Sequence, residues 1–304
     1  MEEIQKSGFR CNICNGFTAA EIQADDLEGG KCSQCGSTMR LRSIILLLSR
    51  ALFNLEIPLT EFPVLKSIAG MGMSDPELYA EPLSRCFSYT NTYYHQPPKL
   101  DITQPPATES GKYDFIISSE VLEHIDAPVE RAFDSFFNLL KPTGFLILTV
   151  PYGPGSSTKE HFDLLQYSSL TKLNNKLVLV GQQLDGEYKV FDDLVFHGGT
   201  GATLEMRVFS EGHLRSQLEN AGFQHLSFES DGSEEFGIRF SGLHSIPILA
   251  SSQPRSFLPE NVSELINTYL LQKKLLQGVR ESRWVKIGRQ LGIGPEIRKE
   301  TIDS

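Results

Sequence analysis

Apolar and polar positions change period several times along the chain. Residues 8–39 are short polar loops with scattered apolar residues. From 40 to 55, Leu41, Ile44, Ile45, Leu48, Leu52 and Leu55 recur at three- and four-residue intervals, which predicts an amphipathic helix. Prolines punctuate 56–63. "VLKSIA" (64–69) then reads as a short strand that ends at Gly70 and Gly72, and "DFIIS" (114–118) reads as a second strand. Val129, Ala132, Phe133, Phe136, Phe137 and Leu140 mark the apolar side of a helix over 128–140, which "KPTG" (141–144) stops with a proline and a glycine. "FLILTV" (145–150) is an unbroken apolar strand closed by Pro151.

Continuous apolar strands that alternate with helices imply a parallel sheet covered on both faces, an α/β fold. A glycine-rich, strand-like insert over 151–209 interrupts this core. The helix "SEGHLRSQLENAGF" (210–223) and the strand "QHLSFES" (224–230) complete it. The expected organisation is a small module over 1–40, an α/β domain over 41–250 with its insert, and a linker with a basic helical tail over 251–304. In that tail Trp284 stands among Arg280, Arg283, Lys286 and Arg289, as a helix that meets a protein partner or a membrane surface would place it, or one that packs on its own domain.

Charge and composition narrow the function. With 28 basic against 38 acidic residues the net charge is −10, which opposes broad nucleic-acid binding. No segment reaches the roughly 18 uninterrupted apolar residues of a membrane span, and a cytoplasmic location is the default expectation. Four of the five cysteines form two pairs, Cys11-x-x-Cys14 and Cys32-x-x-Cys35, with 17 residues between them. Two such knuckles supply four thiolates to one tetrahedral zinc, a structural site with no open position for water. The competing redox reading requires a thioredoxin-like strand and helix, whereas both pairs lie on polar loops. Cys86 reads as a small buried apolar residue.

Strand ends carry the remaining chemistry, because ligands of open α/β sheets bind outside the carboxyl ends of the strands. Those ends are "GMGM" (70–73), "TNTYY" (90–94), "LDIT" (100–103) and "SSEVLEH" (118–124). The E-x-x-E-H of Glu120, Glu123 and His124 is not a peptidase zinc helix of the inverted type, which needs histidine at the first position.

"KYDFIISSEVLEHIDAPVERAFDSFFNLLKPTGFLILTVPY" resembles the middle of class I S-adenosylmethionine-dependent methyltransferases, of the methyltransferase type 11-like kind, and "LRSQLENAGF" resembles their late helix and turn. The resemblance implies a Rossmann-like, seven-stranded, mostly parallel sheet, here behind a zinc-ribbon-like module similar to that of bacterial methyltransferases associated with glycan biosynthesis. It also implies S-adenosylmethionine as cofactor and a small-molecule or glycan-type acceptor, with O-methylation favoured. By the same resemblance Gly70, Met71 and Gly72 turn beneath the methionine part of the cofactor. Asn91 and Thr92 face the ribose, Asp101 and Ile102 meet the adenine, and Ser119 and Glu120 line the pocket below the sulfonium. The chain departs from the family pattern in having Lys66 and Ile68, two glycines where three are usual, and Asn91 in place of the ribose-binding acid. An alternative follows from those departures, a zinc-knuckle binding or scaffold protein that no longer catalyses. His161 lies just past the strand "FLILTV" and His197 further along the insert, both on the substrate side. Either would serve as a general base for an oxygen nucleophile, or stand as an ordinary loop histidine.

Overall fold

The computed structural model describes residues 8–126, 128–162, 165–183, 185–197, 203–242, 245–254 and 260–282. Helix α1 (Met39–Phe53) begins where the Thr38 hydroxyl accepts the Leu41 amide at 3.4 Å, and ends at Asn54 in the left-handed conformation. Thirteen of its 15 residues are buried, so it is enclosed on nearly all sides rather than presenting one polar face.

The central sheet is built from β1 (Ala69–Met73), β2 (Ser88–Thr92), β3 (Tyr113–Ser119), β4 (Leu140–Thr149), β5 (His225–Phe228) and β6 (Ile248–Ser251), in the spatial order β5-β6-β4-β3-β1-β2. The ladders β4-β3-β1-β2 are parallel, and β6 is antiparallel to both neighbours. Helix α2 (Glu77–Cys86) connects β1 to β2, α3 (Glu130–Leu139) connects β3 to β4, and α4 (Glu211–Ala221) precedes β5. Phe115, Ile117, Phe145, Ile147 and Leu249 pack on one face with α1, α2 and the cysteine loops. Met71, Met73, Ile116, Leu146, Leu148 and Ile248 pack on the other with α3 and α4. Both faces are thus buried, as the unbroken apolar runs require.

Three expectations change. Among the described residues the central sheet has six strands, not seven; between β2 and β3 the chain makes only a single parallel bridge, Tyr93 to Lys99. The first strand lies five residues later than "VLKSIA" suggests, and Val64 is mostly exposed. Gly70, Met71 and Gly72 are therefore strand residues and not a turn. The cause is packing: a Cβ on Gly70 would come within 2.2 Å of the Phe115 ring, and one on Gly72 within 2.0 Å of the Tyr89 hydroxyl. The glycines make room for aromatic rings from β2 and β3, and apolar content alone does not register that. The third change is β6, whose short run "ILAS" is the antiparallel strand between β4 and β5.

The insert folds as an antiparallel three-stranded sheet, Leu165–Leu173, Lys176–Gln183 and Tyr188–Phe191, whose first hairpin turns through Asn174 and Asn175, both at positive φ. A small core of Phe162, Leu165, Leu179 and Met206 holds it together. Arg207 is buried and anchors the insert: Nε donates to Glu160, and Nη1 donates to the carbonyls of Leu122 and Ile125 at 3.0 and 2.5 Å. Within the helical tail expected over 251–304, the structure forms α5 (Glu260–Glu281). Trp284 and the basic residues from Arg283 onward lie outside the described residues.

A Gly70→Ala substitution is expected to destabilise the protein by about 1–3 kcal/mol, because the Phe115 ring cannot withdraw from a close-packed sheet. Gly153→Ala, with no atom within 4 Å of the added carbon, should change stability by less than about 0.5 kcal/mol. Urea unfolding of the two variants checks the contrast.

Candidate functional site

In the order β4-β3-β1-β2, the chain leaves β1 toward one side for β2 and returns to the other side for β3. The carboxyl ends of β1 and β3 therefore flank the crevice where open α/β sheets bind ligands. Each of these strands leads into a non-glycine residue in the left-handed region, Ser74 with φ 57° and Glu120 with φ 54°. Such backbone is held only where the surroundings over-determine it, and it concentrates at binding and catalytic sites.

On the β1 side the turn is fixed by Asn91. Its Oδ1 accepts the Asp75 amide at 3.0 Å, and its Nδ2 donates to the Asp75 carbonyl at 2.8 Å and to the Tyr93 hydroxyl at 3.0 Å. Thr92 donates its hydroxyl to the Gly72 carbonyl at 2.8 Å. The polar atoms of these two residues, read from sequence as ribose contacts, thus clamp β1 to β2. The Asp75 carboxylate is fully buried and accepts from the hydroxyls of Tyr79, at 2.7 Å, and Tyr89. Burial pushes it up from its ordinary 3.8 to about 6, against the pull of both tyrosines and of Arg40.

On the β3 side, the Ser119 hydroxyl accepts from Arg40 Nη1 at 2.6 Å and from Thr149 at 3.0 Å. Glu120 anchors its amide on the Thr149 carbonyl. Glu123 is completely buried in the following turn. Burial first, and the charge of Glu120 second, hold its carboxyl well above the usual carboxylate range. Asp101 follows the single bridge after β2; its Oδ1 accepts from the Thr103 amide and hydroxyl, and Ile102 beside it is buried.

The insert brings a second group to this side of the sheet. His161 Nε2 lies 2.8 Å from Glu205 Oε1, with both side chains nearly buried. A carboxylate only accepts, so Nε2 carries a proton, and in the neutral imidazole Nδ1 then bears the lone pair. Met206 donates its amide to the Glu123 carbonyl at 2.7 Å, and His124 Nδ1 donates to the Leu204 carbonyl at 2.7 Å. The His161–Glu205 pair therefore docks directly on the turn after β3. Glu205 carries no signal in its sequence neighbourhood, "TLEMR"; only the fold reveals it. His197 pairs its backbone with Thr203, and its side chain lies outside the described residues. Arg40 was equally hidden, since helical periodicity makes it a solvent-facing residue in the first turn of α1.

The four cysteines converge. Cys11 and Cys35 bring their sulfurs to 3.7 Å, Cys14 and Cys32 to 3.6 Å, and all four lie within 4.8 Å of one another. Tetrahedral zinc with bonds near 2.3 Å requires sulfurs about 3.8 Å apart, so the donor set fits that ion. The Ser37 hydroxyl and the Ile13 amide donate to Cys11 Sγ, and the Thr18 hydroxyl and the Gln34 amide donate to Cys32 Sγ. Burial alone would raise Cys32, yet these donors and the Cys35 amide outweigh it and bring the thiol down to about 6.

A family model described as a methyltransferase domain matches residues 73–227, from the end of β1 to the middle of β5. No curated protein matches the sequence. Among solved structures, Burkholderia thailandensis 1,6-didemethyltoxoflavin-N1-methyltransferase is 15% identical, with 70% of this chain and 76% of that one covered and a TM-score of 0.38. A S-adenosylmethionine-dependent methyltransferase from Clostridium acetobutylicum is 13% identical, with 68% and 96% covered and a TM-score of 0.36. A sugar N-methyltransferase from Streptoalloteichus is 10% identical, with 61% and 81% covered and a TM-score of 0.36.

The Asp75 shift makes a prediction about pH. Its folded value is raised, so the fold prefers the protonated form; that contribution is complete below about pH 4 and is lost as the pH rises through about 6. Two units at about 1.4 kcal/mol each give a loss on the order of 3 kcal/mol. Asp75→Asn is expected to flatten thermal stability between pH 4 and 6.5 relative to the parent protein, as scanning calorimetry at several pH values would show.

Proposed function

The chain belongs to the methyltransferase-domain family and is a S-adenosylmethionine-dependent methyltransferase, and from that premise we propose that it methylates a hydroxyl of a small-molecule or glycan-type acceptor. The observation that carries the placement of the site is the crevice between Ser74 and Glu120, with opposite charges and a hydroxyl at its floor. The residues present fit the cofactor. Ser119 and Glu120 would lie beneath the sulfonium, and Asp101 with Ile102 would take the adenine, the carboxylate accepting from its exocyclic amine. Asn91 and Thr92 would act by holding the β1 turn in shape. When bound, the cofactor supplies an activated methyl group, so the protein's part is to position the acceptor and to remove a proton.

His161 is proposed as that base. Glu205 holds the imidazole with Nδ1 as acceptor and stabilises the imidazolium that forms, the same logic by which a carboxylate orients a histidine in hydrolytic triads. Because Met206 and Leu204 tie this pair to the turn after β3, the insert would cover the acceptor and exclude water. The four cysteines are proposed to hold one structural zinc.

Titration calorimetry with S-adenosylhomocysteine should show binding with one site per chain, and Asp101→Ala should weaken it by about tenfold, the value of one charge-assisted hydrogen bond. An absence of heat at millimolar ligand favours the non-catalytic, scaffold reading. Metal analysis of gently purified protein is expected to return one zinc per chain, and a ratio far below one removes the four-thiolate site.

A further inference from the structure

Arg40 joins the cysteine loops to the crevice, although it belongs to neither. It sits in the first turn of α1 with its side chain 17% exposed. Nη1 donates to Ser119 at the end of β3, and Nε donates to Glu28. Nη2 donates to none of the described residues. Glu28 lies in the 17-residue loop between the two cysteine pairs. The same loop accepts the Arg40 amide at the Leu27 carbonyl, 2.9 Å away. Cys32 in turn donates its amide to the Ser37 carbonyl at 2.9 Å, and the Ser37 hydroxyl reaches Cys11 Sγ at 3.1 Å. A continuous set of bonds thus runs from the thiolates through residues 27–38 to the guanidinium and on to Ser119.

The charges in the crevice give Arg40 a task. Glu120, Glu123 and Asp75 are carboxyl groups, and Arg40 is the cation whose field reaches each of them. The amino-acid end of the cofactor carries both an ammonium and a carboxylate. Carboxyl groups alone would attract the first and repel the second. A guanidinium anchored through two of its nitrogens, with a third available, is suited to the carboxylate.

We propose that Arg40 receives the carboxylate of the cofactor's amino-acid end, and that the metal-bound knuckle holds it in position through Glu28, so that metal occupancy sets cofactor affinity. This rests on the S-adenosylmethionine reading of the crevice. Arginine has many rotamers, and a second anchor at Glu28 removes most of that freedom before the ligand arrives. Without metal, the four sulfurs lose their shared ligand, the intervening loop is held less firmly, and the second anchor weakens with it.

The test compares S-adenosylhomocysteine with 5′-methylthioadenosine, which keeps the adenosine and sulfur but lacks the amino-acid end. Titrations of the full chain should find the first ligand at least about tenfold tighter. Arg40→Met should weaken S-adenosylhomocysteine about 10- to 100-fold and leave 5′-methylthioadenosine unchanged. Glu28→Gln, with its metal content intact, should show a smaller loss of the same kind. Removing the metal from the parent protein should reproduce the Arg40→Met ratio, and removing it from Arg40→Met should change that ratio no further. An unchanged ratio in Arg40→Met overturns the role of Arg40. Equal weakening of both ligands on metal removal overturns the coupling. If the parent protein binds neither ligand, the cofactor reading itself fails, an outcome distinct from the other two.

Discussion

Arg42 carries a positive charge into a nearly dry interior, and much of the N-terminal architecture follows from how that charge is held. Its Nε and Nη2 donate to the carbonyls of Phe236 and Gly237, both at 2.9 Å, and Nη1 donates to the Ser37 carbonyl at 2.7 Å. The guanidinium carbon lies 4.2 Å from the Phe9 ring centre. The cysteines facing it are Cys11, Cys32 and Cys35, so the proposed metal-bound thiolates would compensate the buried cation. A segment near residue 236 and a segment near residue 10 are thereby fixed on the same helix. The cysteine module cannot be regarded as an appendage, because Phe9, Cys11 and Cys32 belong to the core that covers one face of the sheet.

With α1 held this way, the other arginine of its first turns acquires a defined position. Arg40 precedes Arg42 by two residues and points to a different part of the molecule, since residues two apart on a helix do not share a face. One stabilises the knuckle, and the other meets the strand end at Ser119. The crevice is thus bounded by elements from three stretches of sequence: the first turn of α1, the β1 turn and the β3 turn. The insert adds a fourth through Arg207, Leu204 and Met206.

The left-handed residues at the two strand ends show why the glycine pattern misleads. Gly70 and Gly72 are needed where Phe115 and Tyr89 press against β1, so their requirement is steric and internal. The backbone that requires an unusual φ is two residues later, at Ser74, which has no glycine to announce it. Asn91 compensates by bonding both the amide and the carbonyl of Asp75. A degenerate motif here reflects a turn stabilised by a side chain, where a glycine would have supplied the conformational freedom.

Local patterns in the chain were enough to predict α1, α3 and α4, the unbroken strands β3 and β4, and the grouping of the four cysteines, because each depends on neighbours within a few residues, whereas α2 was not foreseen. They also singled out Ser119, Glu120 and Asp101 as candidates, since ligands gather at strand ends. Only the tertiary structure decided the position of β1, the antiparallel β6, the internal use of Asn91 and Thr92, and the partnerships of His161 with Glu205 and Arg40 with Ser119. Those depend on side chains 44 and 79 residues apart meeting in a packed interior. Periodicity describes which face of an element is buried, and it has no means of naming the distant group that waits there.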